Sequence, residues 1–183
     1  MGSSSRDFTF NNTADALYKK VVEITVYLEE CGVSARVIDN IKPVLVELLT
    51  NAVKHSGAIS TLIKVAVDED NIVIKKIDWG TPLMLNILGR QLLWPISANF
   101  KKEIISIYND FNCTLKAKLQ AGNRVSFFVE DFNDTHQMPD IGNVTEHFGL
   151  LIITSVCTSF EYHYDTAGAN NNFIATISRQ RTL

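Results

Sequence analysis

Apolar residues recur at intervals of three and four between residues 14 and 28, the spacing that places side chains on one face of an α helix. The stripe consists of Ala14, Leu17, Val21, Ile24 and Leu28. We expect Asn12 or Thr13 to cap the start of this helix and Gly32 to follow its end. The pattern therefore predicts an amphipathic helix that packs one side against a core.

A second helical pattern begins after Ser34 and continues to Ser56 and Gly57. Its apolar residues keep the helical spacing, but Pro43 lies among them. A proline inside a helical pattern either kinks the helix or occupies the first turn of a new one. The sequence leaves both alternatives open.

Alternating apolar and polar residues predict two hairpins. An acidic turn at residues 68–71 joins the strands of the first, and a turn at residues 121–123 joins those of the second. Further strands are predicted near both ends of the chain. The predicted strands cover residues 7–10, 61–67, 71–78, 113–120, 124–130, 160–164 and 173–178.

Three apolar segments, residues 83–93, 99–110 and 149–158, are predicted to be helices, and the polar residues 133–143 are predicted to be a loop. Helices and hairpins together indicate an α+β fold. We predict a two-layer sandwich with a mixed, mostly antiparallel sheet, helices on one face, and an inserted hairpin at residues 113–130.

The composition fits one folded domain over residues 1–183, with 46% hydrophobic and 20% charged residues and a net charge of −3. Because there is no basic surplus and no apolar stretch of membrane-spanning length, we expect neither nucleic acid nor a membrane as partner. Residues 1–12 show no secretory signal, and the three widely spaced cysteines indicate free thiols. We therefore expect a cytoplasmic protein.

The second helical pattern carries a column of polar side chains. Glu47, Asn51 and His55 are spaced four apart, so a regular helix would place them on one face among apolar neighbours. An amide oxygen suits a hard cation such as Mg²⁺, and a nearby carboxylate can accept a proton from a nucleophile. This combination is typical of phosphoryl chemistry.

Two other positions complement this column. Asp78 ends a predicted strand and Gly80 follows it, so a carboxylate that accepts hydrogen bonds lies beside a backbone that a flat ring can approach. Gly149 begins a predicted helix, where exposed backbone N–H groups favour phosphate.

In this order the three features resemble the GHKL ATPase and kinase superfamily, also known as the HATPase domain. Residues 47–57 resemble its N box, Asp78-x-Gly80 its G1 box, and Phe148-Gly149-Leu150 part of its G2 box. Within the superfamily the chain is most similar to bacterial anti-sigma-factor serine/threonine kinases. The segments that carry this likeness are residues 7–10, Cys31-Gly32-Val33-Ser34, Asp78-Trp79-Gly80-Thr81-Pro82-Leu83, Phe160-Glu161-Tyr162, Asn172-Phe173-Ile174 and Arg179.

The resemblance covers residues 7–94 and 146–180, and it implies an ATP site with magnesium. It implies that Asn51 holds Mg²⁺ and the phosphates and that Glu47 is the catalytic base. It further implies that Asp78 binds the adenine amine, that Gly80 flanks the ring, and that Gly149 supports the phosphates.

By the same resemblance, Lys54 and His55 are expected near the nucleotide. The implied activity is transfer of the ATP γ-phosphate to a serine or threonine of a regulatory partner, such as a sigma factor or an anti-anti-sigma-like protein. Whether the chain forms a homodimer is left open.

Two departures from the family pattern support alternative functions. Glu146-His147-Phe148 precede Gly149 where the family has a further glycine, and residues 94–145 form a long insert between the G1-like and G2-like boxes. This insert could form a larger lid, pair with the sheet or fill the nucleotide site. The alternatives are a catalytically degenerate protein-binding module of the same fold and a detached ATP-binding domain of a histidine kinase.

Overall fold

The computed structural model describes residues 3–87, 90–96, 103–109, 113–131 and 148–180. The helices are α1 (Ala14–Glu30), α2 (Ala35–Asn51) and α3 (Phe148–Val156), and a π-helical turn (Ala52–Ser56) directly follows α2. The strands are β1 (Ser4–Asn11), β2 (Ser60–Val67), β3 (Asn71–Asp78), β4 (Met84–Ile87), β5 (Arg90–Leu93), β6 (Ile104–Asn109), β7 (Cys113–Gln120), β8 (Arg124–Asp131), β9 (Ser159–Asp165) and β10 (Asn170–Ser178).

Eight strands form one sheet in the order β1-β2-β3-β10-β9-β8-β7-β6, and β4 and β5 form a separate hairpin. Every strand pair among the described residues is antiparallel. The α+β prediction is thus confirmed, while the predicted sheet was mixed and the observed pairing is antiparallel throughout. The reason is connectivity: β10 returns between β3 and β9 and runs opposite to both.

One face of the sheet is buried beneath the helices. A row of paired residues crosses it from Val65 through Ile74, Ala175 and Phe160 to Phe127, and each of these is almost inaccessible to solvent. All five belong to the same hydrophobic cluster as the inward residues of α1, α2 and α3. Side chains alternate between the two faces of a strand, so this row fixes which face the helices cover.

The helical predictions for the first half of the chain are confirmed. Thr13 occupies the N-cap position of α1 without a side-chain hydrogen bond to the helix, and Gly32 follows the helix with a φ of +72°. Pro43 lies inside one continuous α2, so it does not begin a new helix. The predicted helix at residues 149–158 corresponds to α3.

Two predicted helices were wrong. Residues 83–93 contain the paired strands β4 and β5, and the described part of residues 99–110 contains β6. Short apolar runs have no periodicity that separates a strand from a buried helix, and cross-strand pairing decided both cases. The predicted loop at residues 133–143 lies outside the described residues.

The predicted hairpin at residues 113–130 is confirmed as β7 and β8. Of the three arrangements that the sequence left open for the insert, the described strands show the second, because β8 pairs with β9 and so extends the main sheet. In the part of the chain that the structure describes, no helix combines the length and the apolar character needed to span a membrane.

Candidate functional site

Glu47 and Asn51 lie on the last turn and a half of α2, on the same side of the helix and half-buried. Among the described residues neither side chain has a hydrogen-bond or ion-pair partner. A carboxylate and an amide oxygen are therefore available here, as the sequence predicted. Their proposed roles as base and metal ligand remain predictions.

The predicted column of Glu47, Asn51 and His55 spans the end of α2 and the turn that follows it. The backbone passes into the π-helical turn at residue 52, and Lys54 and His55 lie on this turn, both exposed. Gly57 then ends the helix with a φ of +68°, a left-handed conformation that favours glycine.

Gly149 lies against Glu47. A Cβ atom added at Gly149 would be 2.4 Å from Oε2 of Glu47, so a larger residue there would force the end of the Glu47 side chain to move. The start of a helix carries a partial positive charge, which favours a neighbouring carboxylate. The position that was predicted to support phosphates thus contacts the predicted base.

The loop after β3 packs against the end of the π turn. The backbone N–H of Thr81 donates to the carbonyl of Ser56 at 2.6 Å, and a Cβ at Gly80 would lie 1.7 Å from that same carbonyl oxygen. Gly80 is therefore required by its contact with the protein's own backbone. The N-box-like and G1-like segments are therefore in contact.

The carboxylate of Asp78 is buried, with 1% of its surface exposed, and it accepts three hydrogen bonds. Nζ of Lys76 donates to Oδ2 at 2.6 Å, while Nδ2 of Asn171 and the backbone N–H of Gly80 donate to Oδ1 at 2.9 and 3.1 Å. Burial raises the pKa of Asp78, but the charge and hydrogen bond of Lys76, aided by Asn171 and Gly80, outweigh it and hold the pKa below its usual value.

Lys76 is itself 3% exposed. Burial lowers the pKa of its ammonium, and the charge of Asp78 opposes this shift. The ammonium also lies 4.5 Å from the ring centre of Phe173, a cation–π distance. A buried lysine is stable only when its charge is compensated in this way.

Aromatic side chains cover the buried network around Asp78. The hydroxyl of Tyr162 donates to Oδ1 of Asn171 at 2.7 Å and accepts from the backbone N–H of Leu83 at 3.1 Å. Burial raises the pKa of Tyr162 above its usual range. Trp94, the first residue of the predicted insert, packs edge-on against Tyr162 with the ring centres 5.6 Å apart. The polar network is therefore covered by the β4–β5 hairpin and its flanks.

These contacts test whether the residues fit ATP and magnesium. An adenine amine does not fit against Asp78 while Lys76 occupies Oδ2 and the carboxylate is buried. Asn51 offers a suitable oxygen for Mg²⁺, but the described residues contain no group of three His, Cys, Asp or Glu side chains arranged to hold a metal ion. The residues therefore do not fit an adenine amine at β3, and at α2 Asn51 is a single candidate oxygen for a metal ion.

The structure thus forms two clusters from the predicted residues: Glu47 with Gly149, and Asp78 with Gly80. It places Lys54 and His55 at the surface. Sequence reasoning missed Lys76, Asn171 and Tyr162. Lys76 had a usable signal, because it lies two residues before Asp78 and therefore shares its strand face.

A cavity of about 340 Å³ lies apart from these clusters, between the end of α3 and β8. It is lined by Phe127, Phe128, Val129, Thr154, Ser155, Cys157, Thr158, Ser159 and Phe160, none of which was predicted as a site residue.

A scan of the chain against protein-family models gives no match. A search among curated proteins gives no significant match either.

Proposed function

We propose that this chain is a cytoplasmic regulatory module with a GHKL-like fold that acts by docking a partner protein and does not use ATP. The partner class that the resemblance suggests is a sigma factor or an anti-anti-sigma-like protein. This is the catalytically degenerate form of the anti-sigma kinase fold.

The ion pair between Lys76 and Asp78 carries the proposal. A nucleotide-binding carboxylate has to be accessible, whereas this one is buried and bonded to three donors of the same chain. Removing one partner from a buried, hydrogen-bonded ion pair typically costs about 3–5 kcal/mol. A purine that displaced Lys76 would have to offset a penalty of that order.

Exposed apolar side chains on α1 support the docking part of the proposal. Tyr18, Val22 and Val26 are spaced four apart on one face of the helix, and they are 78%, 40% and 44% exposed. Apolar side chains that line up on a surface are typical of protein interfaces. Tyrosine at such a place is among the residues that contribute most to binding.

Two further exposed apolar residues flank the contact between Ser56 and Gly80. Ile59 is 91% exposed and Trp79 is 58% exposed. Both come within three residues of that contact along the chain. Two exposed apolar side chains therefore lie close along the chain to the contact that closes the site.

A second candidate is the phosphotransferase that the resemblance implies. One observation favours it: Glu47 and Asn51 are half-buried on one face of α2 and have no hydrogen-bond partner among the described residues. These are the two groups to which the resemblance assigns the base and the metal.

Isothermal titration of the folded protein with MgATP separates the two candidates. We expect no saturable heat and no shift of the thermal midpoint with MgATP, because Asp78 is not accessible. Saturable binding near one nucleotide per chain would overturn the docking proposal and favour the phosphotransferase.

The docking part is tested by titrating sigma factors and anti-anti-sigma-like proteins of the source organism. We expect the double variant Tyr18→Ser/Val22→Ser to weaken the binding about tenfold or more, since each side chain would bury apolar area. Lys118→Ser is the matched control, because Lys118 is exposed on the sheet face away from the helices. Equal weakening by both variants would contradict the assigned surface.

A further inference from the structure

Asp78 and Phe173 form a cradle of the kind that holds an ammonium ion. The register of the sheet places Phe173 opposite Lys76, and Asn171 opposite Asp78, so all four side chains meet on the covered face. The ammonium of Lys76 lies between a carboxylate oxygen at 2.6 Å and an aromatic ring at 4.5 Å. A carboxylate combined with an aromatic face is the usual chemistry of ammonium recognition.

The cradle is supported independently of Lys76. Nδ2 of Asn171 and the backbone N–H of Gly80 bond only Oδ1 of Asp78, which leaves Oδ2 to the lysine. Tyr162 in turn holds Asn171 through its hydroxyl and packs against Phe173 with the ring centres 4.7 Å apart. Removing the lysine side chain would therefore leave the carboxylate and the ring in position.

We propose that Asp78 and Phe173 constitute a binding site for a primary alkylammonium ion, which the chain fills with its own Lys76. Lys76 then keeps alkylammonium ions from solution out of the site, because its own ammonium occupies it. The proposal rests on the proposed function in one respect, namely that Asp78 is not used for a nucleotide. The new element is that Lys76 of the chain itself occupies the ammonium site. A single substitution of Lys76 would therefore empty the site for an alkylammonium ion from solution.

The test uses Lys76→Ala with n-propylammonium as the probe, because this ion has the atoms that the substitution removes. We expect the thermal midpoint of Lys76→Ala to fall below that of the wild type. It should then rise by about 3 °C when the ion exceeds its dissociation constant about tenfold. n-Propanol has the same shape without the charge and should give no comparable rise.

Two variants serve as matched controls. Lys76→Met keeps the side-chain volume and should show no response to propylammonium, because its site remains filled. Lys76→Ala/Asp78→Asn lacks the carboxylate and should also show none. The wild type, whose site is filled by Lys76, measures how much the propylammonium salt shifts the thermal midpoint without binding there.

Lys76→Ser gives the same comparison in a less destabilised protein, since its hydroxyl can still donate to Asp78. If Lys76→Ala is unfolded in buffer, propylammonium should restore its folded circular dichroism signal, because a ligand of the folded state shifts the equilibrium.

The proposal is overturned if propylammonium raises the midpoints of Lys76→Ala and Lys76→Ser no more than that of the wild type. MgATP binding by the wild type would instead overturn the proposed function. The two failures are therefore distinguishable.

Discussion

Gly80 and Gly149 both allow close approaches, but the atoms that approach them differ. At Gly80 the neighbour is the backbone carbonyl of Ser56, which is fixed by its hydrogen bond from Thr81. At Gly149 the neighbour is the end of the flexible Glu47 side chain. A backbone atom can move only if the π turn moves, whereas a glutamate can change rotamer.

We expect Gly80→Ala to lower the free energy of unfolding by about 3 kcal/mol or more, because a Cβ there overlaps backbone. Gly149→Ala should lower it by about 1 kcal/mol, the cost of a displaced rotamer. Urea unfolding of the two variants measures both changes.

The double variant Glu47→Ala/Gly149→Ala is the control, since it removes the side chain that a new Cβ would meet. It should be no less stable than Glu47→Ala alone. A Gly80→Ala protein as stable as the wild type would show that the loop after β3 does not pack on Ser56.

At the scale of elements, the pairing of β8 and β9 places a histidine beside positively charged side chains. His163 on β9 pairs directly with Arg124 on β8. Burial, then Arg124 and Lys75, lower the pKa of His163, and Asp165 opposes them in part. The folded state therefore favours the neutral imidazole relative to the unfolded chain.

This shift gives a pH dependence whose sign is fixed. Because the folded pKa is lower than the unfolded value of about 6.5, the unfolded chain binds more protons just below that pH. We expect the contribution of His163 to stability to be present above pH 6.5 and to be lost as the pH falls through the folded pKa.

Urea unfolding of the wild type and of His163→Gln at pH 5 and pH 7.5 measures this contribution. The wild type should lose more stability between the two values than the variant does. If the ring-proton resonance of His163 titrates above pH 6.5 in the folded protein, the assigned shift is contradicted.

At the scale of the whole molecule, one hydrophobic cluster runs from β1 to the strands of the insert. Phe127 on β8 stacks on Phe160 of β9, with the ring centres 5.1 Å apart, and both are almost fully buried. The insert strands thus share the core of the main sheet. A shared core predicts that they unfold together with the rest of the domain.

We expect Phe127→Ala to lower the free energy of unfolding by about 3–5 kcal/mol, the usual effect of truncating a buried phenylalanine. In native-state hydrogen exchange, the slowest amides of β2 should lose as much protection as those of β8. Loss of protection confined to β8 would indicate a separate unit. Phe128→Ala is the matched control, because its half-buried side chain points to the opposite face.

Much of the local structure could be predicted from the sequence. The helical stripe of α1, the alternation in β7 and β8, and the strand that ends at Asp78 all follow local rules of spacing. The strands at residues 84–93 and 104–109 could not be predicted, because their apolar runs fit either structure until a pairing partner is known.

The sequence by itself determined which polar groups lie along α2 and that Asp78 ends a strand beside Gly80, since both depend only on neighbours along the chain. Only the tertiary structure decided what those groups contact. Asn171 reaches Asp78 because β10 enters the sheet beside β3, although 93 residues separate them along the chain. Lys76 and Asp78 share a strand face by sequence alone, but their pairing is favourable because Asn171, Tyr162 and Phe173 exclude water from around them.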